Sequence, residues 1–429
     1  MEKRKKRSRL CATAAAVAAA FVLPAHAGPG DPLGPVLTVA TATPPDRMVG
    51  VAVARAADGH AAVAWSSGIG IFVRLLDAAG APSGPDRLVD PRPTSARLEV
   101  AMNAGGAFVV GWARGFVFEG DRGVYVRRYA ADGTPQGDVV EVAGGFDNGR
   151  GDLYLGNAAI AIDDDGDFVV AWPQGRIENQ HTCLYGISVC IGVGGYSVRL
   201  RRYGGGGTQA AGVQTVDASA TVDLLKGVNV SLGSDQRNVD AAMAPDGRFV
   251  VTWARAGDGL NLGGGVYARR YDAEGHGELK RTVSLQLQDG PTPAVAMSAS
   301  GAYAVVYDRH LRDTATGVYS GGLFMRQFPA SAGLGAAEQR VDDGSDSVIA
   351  AQDVAMDAAG DSVVSWAGSG GTGNGRGRAQ RYADGGGALG INFTLDGTYV
   401  RAAMTPAGDF AFAWNDNGNA IRSRFYDGP

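Results

Sequence analysis

The sequence FVVGW at residues 108–112 recurs six more times along the chain, and this repeat decides the fold. All six tryptophans end a copy of it, and Tyr307 ends the seventh. The other copies are AAVAW at 61–65, FVVAW at 168–172, FVVTW at 249–253, YAVVY at 303–307, SVVSW at 362–366 and FAFAW at 410–414. A run of β-branched and aromatic residues behind a glycine turn predicts a β-strand, so the chain contains seven equivalent strands.

Each copy has the same surroundings. Upstream lies a short apolar strand that ends in a pair such as Ala242-Met243, and a tight turn follows it. Downstream lie a third strand, such as VYARRY at 266–271, a glycine-bounded turn and a fourth strand, such as VVEV at 139–142. The aromatic markers are 47 to 81 residues apart. Four-stranded antiparallel units at this spacing predict an all-β fold, a seven-bladed β-propeller in which each blade is buried between its neighbours.

The ends of the chain predict how the ring closes. The seventh copy stops after its third strand, whereas GDPLGPVLTV at 30–39 matches GTPQGDVVEV at 133–142, which contains a fourth strand. We therefore expect residues 34–41 to complete the last blade beside residues 419–426, which removes two free strand edges. Residues 28–429 are then one propeller domain.

The N-terminus has the pattern of a signal peptide. Residues 2–9 (EKRKKRSR) are basic, residues 10–23 are apolar, and Ala25-His26-Ala27 fits a cleavage site after Ala27. The remaining sequence has no apolar run long enough for membrane insertion, so we expect a secreted or periplasmic protein. Cleavage removes six basic residues and one acidic residue, which lowers the net charge from −5 to −10. Such a chain is a poor partner for nucleic acid.

Two cysteines, Cys183 and Cys190, remain after cleavage. In an oxidising compartment a short disulfide is expected between them. A metal site is the alternative, but His181 alone adds too few ligands. The run Asp163-Asp164-Asp165-Gly166-Asp167 similarly suggests calcium. However, position twelve of such a loop would be Gln174 rather than the glutamate that binds the ion. Turn chemistry is the favoured interpretation, and no cofactor is predicted.

The pattern DGxFVVxW followed by VYxRRYxxxGxxxG resembles the repeats of secreted bacterial β-propeller proteins, mostly of unassigned function. The resemblance covers the mature chain, and it implies the fold but no activity. The recurring Arg-Arg-Tyr triplets, such as Arg127-Arg128-Tyr129, are interpreted as architectural for the same reason. The enzyme motifs HExxH and GxSxG are absent from the sequence.

Charged residues break the repeat in the first strands, which should surround the central channel. Three residues before the methionine position, the seven blades have Gly50, Glu99, Ala159, Asp240, Ala294, Asp353 and Arg401. The three acids and Arg401 are candidate ligand-binding residues, because charged groups inside proteins are seldom kept without a partner. Strand capping and water contact in the channel are the alternatives.

The loops between second and third strands and between blades should share one end of the propeller, and they hold most of the length variation. They are residues 113–123, 143–157, 173–195, 219–236, 254–265, 308–321 and 367–375. Variable loops on a rigid scaffold commonly carry binding residues. The candidate ligand-binding residues there are Phe116, Phe118, Tyr154, His181, Tyr185 and His310.

Three hypotheses of function follow. The first is an exported, monomeric, non-enzymatic binding module whose loop-rich face holds a glycan, peptide or protein, because aromatic and polar side chains together suit such ligands. The second is a hydrolase or lyase that acts on a polysaccharide with the channel carboxylates. The third is a purely structural protein of the cell surface. Close carboxylate pairs in the channel would favour the enzyme.

Overall fold

The computed structural model confirms a seven-bladed β-propeller of four-stranded antiparallel sheets, with no helix in the described residues. The structure describes residues 30–43, 46–92, 98–114, 123–144, 153–155, 157–183, 190–223, 236–255, 264–285, 291–312, 319–331, 333–344, 349–368 and 376–428. Within these segments no helix has the length and apolar character that crossing a membrane requires.

The strands are numbered along the chain, and β1 (Leu37–Thr41) belongs to the last blade. Blade 1 contains β2 (Gly50–Arg55), β3 (Ala61–Ser67), β4 (Gly70–Leu76) and β5 (Arg87–Asp90). Blade 2 contains β6 (Leu98–Met102), β7 (Phe108–Arg114), β8 (Gly123–Tyr129) and β9 (Val140–Gly144). Blade 3 contains β10 (Leu153–Leu155), β11 (Ala159–Ile162), β12 (Phe168–Cys183), β13 (Cys190–Tyr203) and β14 (Gln214–Asp223). Blade 4 contains β15 (Gln236–Met243), β16 (Phe249–Arg255), β17 (Gly265–Tyr271) and β18 (Arg281–Leu285).

The remaining three blades follow the same order. Blade 5 contains β19 (Ala294–Met297), β20 (Tyr303–Arg312), β21 (Tyr319–Phe328) and β22 (Gln339–Arg340). Blade 6 contains β23 (Ile349–Met356), β24 (Ser362–Gly368), β25 (Arg376–Tyr382) and β26 (Ala388–Leu395). Blade 7 contains β27 (Thr398–Met404), β28 (Phe410–Asp416), β29 (Ala420–Tyr426) and β1. The first strands of successive blades pack side by side in a closed ring around the centre.

Strand β1 closes the ring as the sequence predicts. It pairs antiparallel with β29, with Leu37 opposite Ser423 and Thr41 opposite Ala420. The predicted boundaries of 34–41 and 419–426 therefore agree with the structure to within a few residues. The pairing covers the outer edge of β29.

The repeated aromatic residues stack across the strands of each blade and pack in the cores between neighbouring blades. Phe108 stacks on Tyr129 with ring centroids 4.8 Å apart, and Phe249 stacks on Tyr271 at 4.6 Å. The tryptophans that mark the repeat are almost entirely buried. Each tight hairpin turn places a glycine where φ is positive, as at Gly247 with φ of +85°, a backbone conformation that other residues rarely adopt.

The Arg-Arg-Tyr triplets tie neighbouring blades together, as the sequence analysis expects. The first arginine donates to a fourth-strand carbonyl of the preceding blade: Arg127 Nη1 lies 3.0 Å from Val89 O, and Arg201 Nη1 lies 2.6 Å from Val142 O. The second arginine reaches forward, and Arg128 donates to the carbonyl of Gly205 in the next blade. Both guanidinium groups therefore satisfy backbone carbonyls at blade boundaries, where unpaired groups would be costly.

Two segments predicted as loops are partly strands. β12 and β13 continue past the core of blade 3 as a long hairpin that covers much of 173–195, and β20 and β21 extend into 308–321. The sequence prediction was wrong there because polar and glycine-rich residues interrupt the apolar pattern, although backbone pairing continues.

Candidate functional site

The register of blade 1 differs from the one that the sequence pattern indicates. The channel acids lie opposite the residue that precedes the tryptophan of the second strand; they are Glu99, Asp240 and Asp353. In blade 1 this position belongs to Ala52, which lies opposite Ala64, and the assignment of Gly50 was wrong. The error arose because Arg55 rather than methionine ends the first strand of blade 1.

Two of the channel acids connect adjacent blades. Asp240 Oδ2 in blade 4 accepts a hydrogen bond from Val295 N in blade 5, at 2.8 Å. Asp353 Oδ2 in blade 6 accepts one from Ala402 N in blade 7, at 3.0 Å. A carboxylate that accepts a backbone N–H forms a strong, charge-assisted bond. These contacts give the two acids a structural task in addition to any role in binding.

The other two channel candidates lie in the same ring. Buried Arg401 donates from Nη1 to Gln352 O in blade 6, at 3.3 Å. Glu99 is half-buried on the first strand of blade 2. The four candidates therefore occupy the predicted inner strands, and three of them form hydrogen bonds with the backbone of an adjacent blade. Their part in ligand binding stays a prediction.

The loop candidates are largely outside the described part of the chain. Phe116, Phe118 and Tyr185 lie outside the described residues. Tyr154, His181 and His310 are described only in their backbone, within β10, β12 and β20. Cys183 ends β12, Cys190 begins β13, and the two are partners in the backbone register. The disulfide between them stays a prediction.

The grooves between blades hold a recurring polar position that the sequence analysis missed. We call it the rim position: the residue that follows the buried valine of the fourth strand. It is occupied by Asp90 in blade 1, Ala143 in blade 2, Asp217 in blade 3 and Ser284 in blade 4. This residue meets the tryptophan region of the next blade.

The groove between blades 3 and 4 is filled by its rim residue. Asp217 Oδ2 accepts a hydrogen bond from Trp253 Nε1 at 3.1 Å, and Asp217 Oδ1 lies 3.2 Å from Lys280 Nζ. Arg255 Nη2 lies 3.9 Å from the same carboxylate. The groove between blades 1 and 2 uses a similar arrangement, because Asp90 forms a buried ion pair with Arg114. In both grooves a carboxylate of the protein balances the cations.

The groove between blades 2 and 3 is open instead. Its rim residue is Ala143, and the groove contains a cleft of about 450 Å³. The third-strand residue opposite the tryptophan is aromatic in blades 1, 2, 4 and 5, but in blade 3 it is Arg199. The cleft is lined by Glu141, Val142, Ala143, Gly144, Trp172, Gln174, Arg199, Arg201 and Val213.

Among the described residues, two buried donors at this cleft have no hydrogen-bond partner: the indole Nε1 of Trp172, which is only 1% exposed, and Nε of Arg201. Within the same part of the chain Arg199 donates to hydroxyl groups, with Nε 2.9 Å from Ser197 Oγ and Nη1 2.6 Å from Thr215 Oγ1. A buried donor without an acceptor costs free energy unless a ligand or water satisfies it.

The cleft lies toward the predicted loop-rich end. Trp172 and Gln174 follow the part of β12 that pairs with β11, in the direction of the second-to-third turn, and Gly144 ends the fourth strand of blade 2. A sequence signal for the cleft exists, since aligning the seven fourth strands shows Ala143 where acids stand in blades 1 and 3. The significance of that substitution depends on which side chain faces it, and only the register shows this.

Asp163 and Tyr307 are among the ionisable groups elsewhere with perturbed pKa values. Burial, together with the nearby Asp167 and Asp165, raises the pKa of Asp163 to about 6. Asp163 Oδ1 accepts a hydrogen bond from Asp167 N at 2.8 Å, which closes the turn suggested above as a calcium loop. Burial and a hydrogen bond to Glu338 raise the pKa of Tyr307.

Within the described residues, one group of carboxylate and histidine side chains is close enough to hold a metal ion: Asp272, Glu274 and His276. All three side chains are exposed. Such groups are common without an ion.

No protein family matches the chain, and no curated protein matches it either. Several solved structures, however, resemble the chain in fold. An ulvan lyase of a polysaccharide lyase family, bound to a fragment containing GlcA and sulfated Rha, is 9% identical with a TM-score of 0.52, covering 89% of this chain and 94% of its own. A second structure of such a lyase is 8% identical with a TM-score of 0.53, covering 91% and 96%. The α-L-arabinanase of Penicillium chrysogenum is 12% identical with a TM-score of 0.45, covering 91% and 97%. At these identities the likeness establishes the fold alone.

Proposed function

We propose that this protein is an exported, non-enzymatic glycan-binding module, which holds its ligand at the cleft between blades 2 and 3. The observation that carries the proposal is the cleft itself: an opening of about 450 Å³ with an indole, an amide and two guanidinium groups at its surface. Sugars are recognised by directional hydrogen bonds beside aromatic surface. Peptides and proteins are the other ligands that the binding-module hypothesis includes. They lack the closely spaced hydroxyl groups with which a sugar would meet the polar groups of this cleft.

The solved structures with this fold support a carbohydrate ligand, because several of them act on or bind polysaccharides. The contacts of the channel favour binding over hydrolysis. Asp240 and Asp353 each accept a hydrogen bond, through one carboxylate oxygen, from a backbone N–H of the next blade. An acid–base pair instead needs carboxyl groups placed on either side of a scissile bond.

Export is part of the same proposal. It rests on the basic and apolar segments of residues 1–27, which lie outside the described residues. When the complete gene is expressed in a bacterial host, mass spectrometry of the product should show an N-terminus at Gly28. The purified protein should also lack free thiols if Cys183 and Cys190 are joined. Recovery of a chain that still begins at Met1 would contradict export.

A glycan array followed by calorimetry tests the function. Residues 28–429 should bind at least one oligosaccharide, and Arg199→Ala should weaken that binding about tenfold or more, since a central arginine contact commonly carries this much. Arg378→Ala is the matched control, because Arg378 lies opposite the tryptophan of blade 6 and pairs with Asp343 at 3.3 Å. Equal loss in both variants would contradict the cleft as the site. Release of new sugar ends from a bound glycan over time would assign the polysaccharide-degrading enzyme instead.

A further inference from the structure

We infer that the glycan held between blades 2 and 3 is acidic, and that its carboxylate or sulfate group occupies the place that Asp217 fills in the next groove. The inference rests on the proposed function and adds the chemical class of the ligand. It follows from comparing two equivalent grooves within one molecule, since the fourth strands of blades 2 and 3 have the same register.

The first step concerns the missing carboxylate. Ala143 pairs with Val124 across blade 2, as Asp217 pairs with Val198 across blade 3. In the groove of blades 3 and 4, the Asp217 carboxylate satisfies the indole N–H of Trp253. Trp172 and Ala143 line the same cleft, and Ala143 has no polar side chain. A ligand oxygen in this cleft could accept from Trp172 the hydrogen bond that Asp217 accepts from Trp253 in the next groove.

The second step concerns the positive charge. Arginine replaces the aromatic third-strand residue in blades 3, 6 and 7. Arg378 pairs with Asp343 at 3.3 Å, and Arg422 pairs with Asp416 at 3.2 Å. Arg199 has only the Ser197 and Thr215 hydroxyls, and Arg201 contacts the Val142 carbonyl. Within the described part of the chain, neither cleft arginine has a carboxylate partner. Planar guanidinium groups with free donors favour carboxylate, sulfate or phosphate oxygens.

The third step separates this cleft from an ordinary buried indole. Trp112 Nε1 in blade 2 also has no hydrogen bond. However, its groove is occupied, because Asp90 and Arg114 form a buried ion pair there and Arg114 also lies over the ring of Tyr125. At Trp172 the unpartnered indole coincides with an open volume and two arginines that lack a carboxylate. Only this combination indicates a ligand.

The acidic residue of the cleft, Glu141, favours a sugar over a simple anion as the ligand. Glu141 is exposed, so the lining contains one acceptor as well as the two arginines. A ligand that carries hydroxyl groups next to its anionic group can satisfy both, whereas free sulfate or phosphate would be repelled by Glu141.

The test compares three tetrasaccharide probes in calorimetry: a uronic acid oligomer, its carboxyl-reduced neutral counterpart and a sulfated oligomer. The acidic probes should bind at least about tenfold more tightly than the neutral one, because a charged hydrogen-bond pair commonly contributes this much. The uronic and sulfated arms decide which anionic group the cleft takes. Binding should weaken as salt is added.

Ala143→Asp places a carboxylate of the protein in the cleft. It should reduce binding of the acidic probe about tenfold or more, because the new carboxylate replaces the ligand's anionic group in the charge pairs. Ala143→Ser is the matched control, because serine already occupies the rim position of blade 4; it should leave binding within about threefold of the wild type. Arg199→Gln removes the charge without adding bulk. It keeps the test decisive if Ala143→Asp fails to fold.

The outcomes distinguish this inference from the function on which it rests. Equal affinity for the acidic and neutral probes would overturn the inference and leave glycan binding intact. Binding of no glycan on the array would overturn the proposed function itself. Acidic-probe binding that survives both Ala143→Asp and Arg199→Gln would place the anion site elsewhere and overturn the inference.

Discussion

The groove between blades 2 and 3 and the groove between blades 3 and 4 have the same strand register and opposite contents. In the second groove Asp217 joins Trp253, Lys280 and Arg255 in one polar cluster. In the first, Ala143 leaves Trp172 and two arginines around a cleft. Because the repeat fixes the backbone, the contents of a groove depend on a few side chains. A binding site can therefore arise in this fold by removing one carboxylate from a cluster.

The largest effect is expected in the last blade, where β1 is the fourth strand and closes the ring. Deleting residues 28–43 removes β1 and exposes the whole edge of β29. We expect aggregation, or a loss of more than about 5 kcal/mol, which is comparable with the stability of a whole domain. Thermal unfolding and light scattering would measure this. A truncated protein with an unchanged melting temperature would contradict the closing role of β1.

Asp217→Ala tests the filled groove directly. It leaves Trp253 Nε1 buried without an acceptor and removes the carboxylate near Lys280 and Arg255. We expect a loss of about 1–3 kcal/mol in the free energy of unfolding. Ala143→Asp should have an effect close to zero or slightly stabilising, because it supplies a partner that the open groove lacks. Urea unfolding of both variants checks the comparison, and an equal loss in both would break it.

Asp163 allows a second comparison, between the first hairpin turns of blades 3 and 2. A smaller effect on stability is expected there. Asp163 Oδ1 accepts from Asp167 N at 2.8 Å, and the equivalent Asn103 Oδ1 in blade 2 accepts from Ala107 N at 2.9 Å. Asparagine therefore makes the same bond without a buried charge. Asp163→Asn should stabilise the protein at pH 7 by on the order of 1 kcal/mol, after allowance for partial solvation.

The pH dependence of this effect has a definite sign. The pKa of Asp163 is about 6 in the folded protein, above the ordinary value of 3.8. Above pH 6 the carboxylate is charged in both states, and its burial penalty is fully present. As the pH falls from 6 to 4 the folded protein binds the proton first, so wild-type stability rises toward that of the variant. Unfolding at several pH values would show this, with Asp138→Asn, at an exposed position of blade 2, as the control. A constant difference across this range would contradict it.

The sequence predicted the architecture well because the fold depends on a pattern that occurs seven times. The strand carrying each tryptophan and the closing strand β1 were both predicted correctly. The pattern failed where one residue departed from it, as at Arg55, which displaced the register of blade 1. It also failed for the β12–β13 hairpin, whose extension is held by backbone pairing.

The cleft was not predicted, for a different physical reason. Ala143 is an ordinary residue, and its effect comes from which side chain the next blade presents to it. Trp172 lies 29 residues further along the chain, and the strand register between the two is set only in the folded ring. The sequence analysis instead selected charged residues of the inner strands. Those charges are conspicuous in the sequence, and in Asp240 and Asp353 they serve the contacts between blades.

The pairing of β1 with β29 also has a consequence for the order of folding. Leu37 and Ser423 are separated by almost the whole chain, although each other blade is built from consecutive strands. Strand β1 is synthesised before any blade exists and must wait, unpaired, until the last hairpin has formed. Contacts of such long sequence separation slow folding, and unpaired apolar strands are prone to aggregation while they wait. The final and slowest event in assembly should therefore be the capture of β1, and a chaperone that holds residues 30–43 would act at that step.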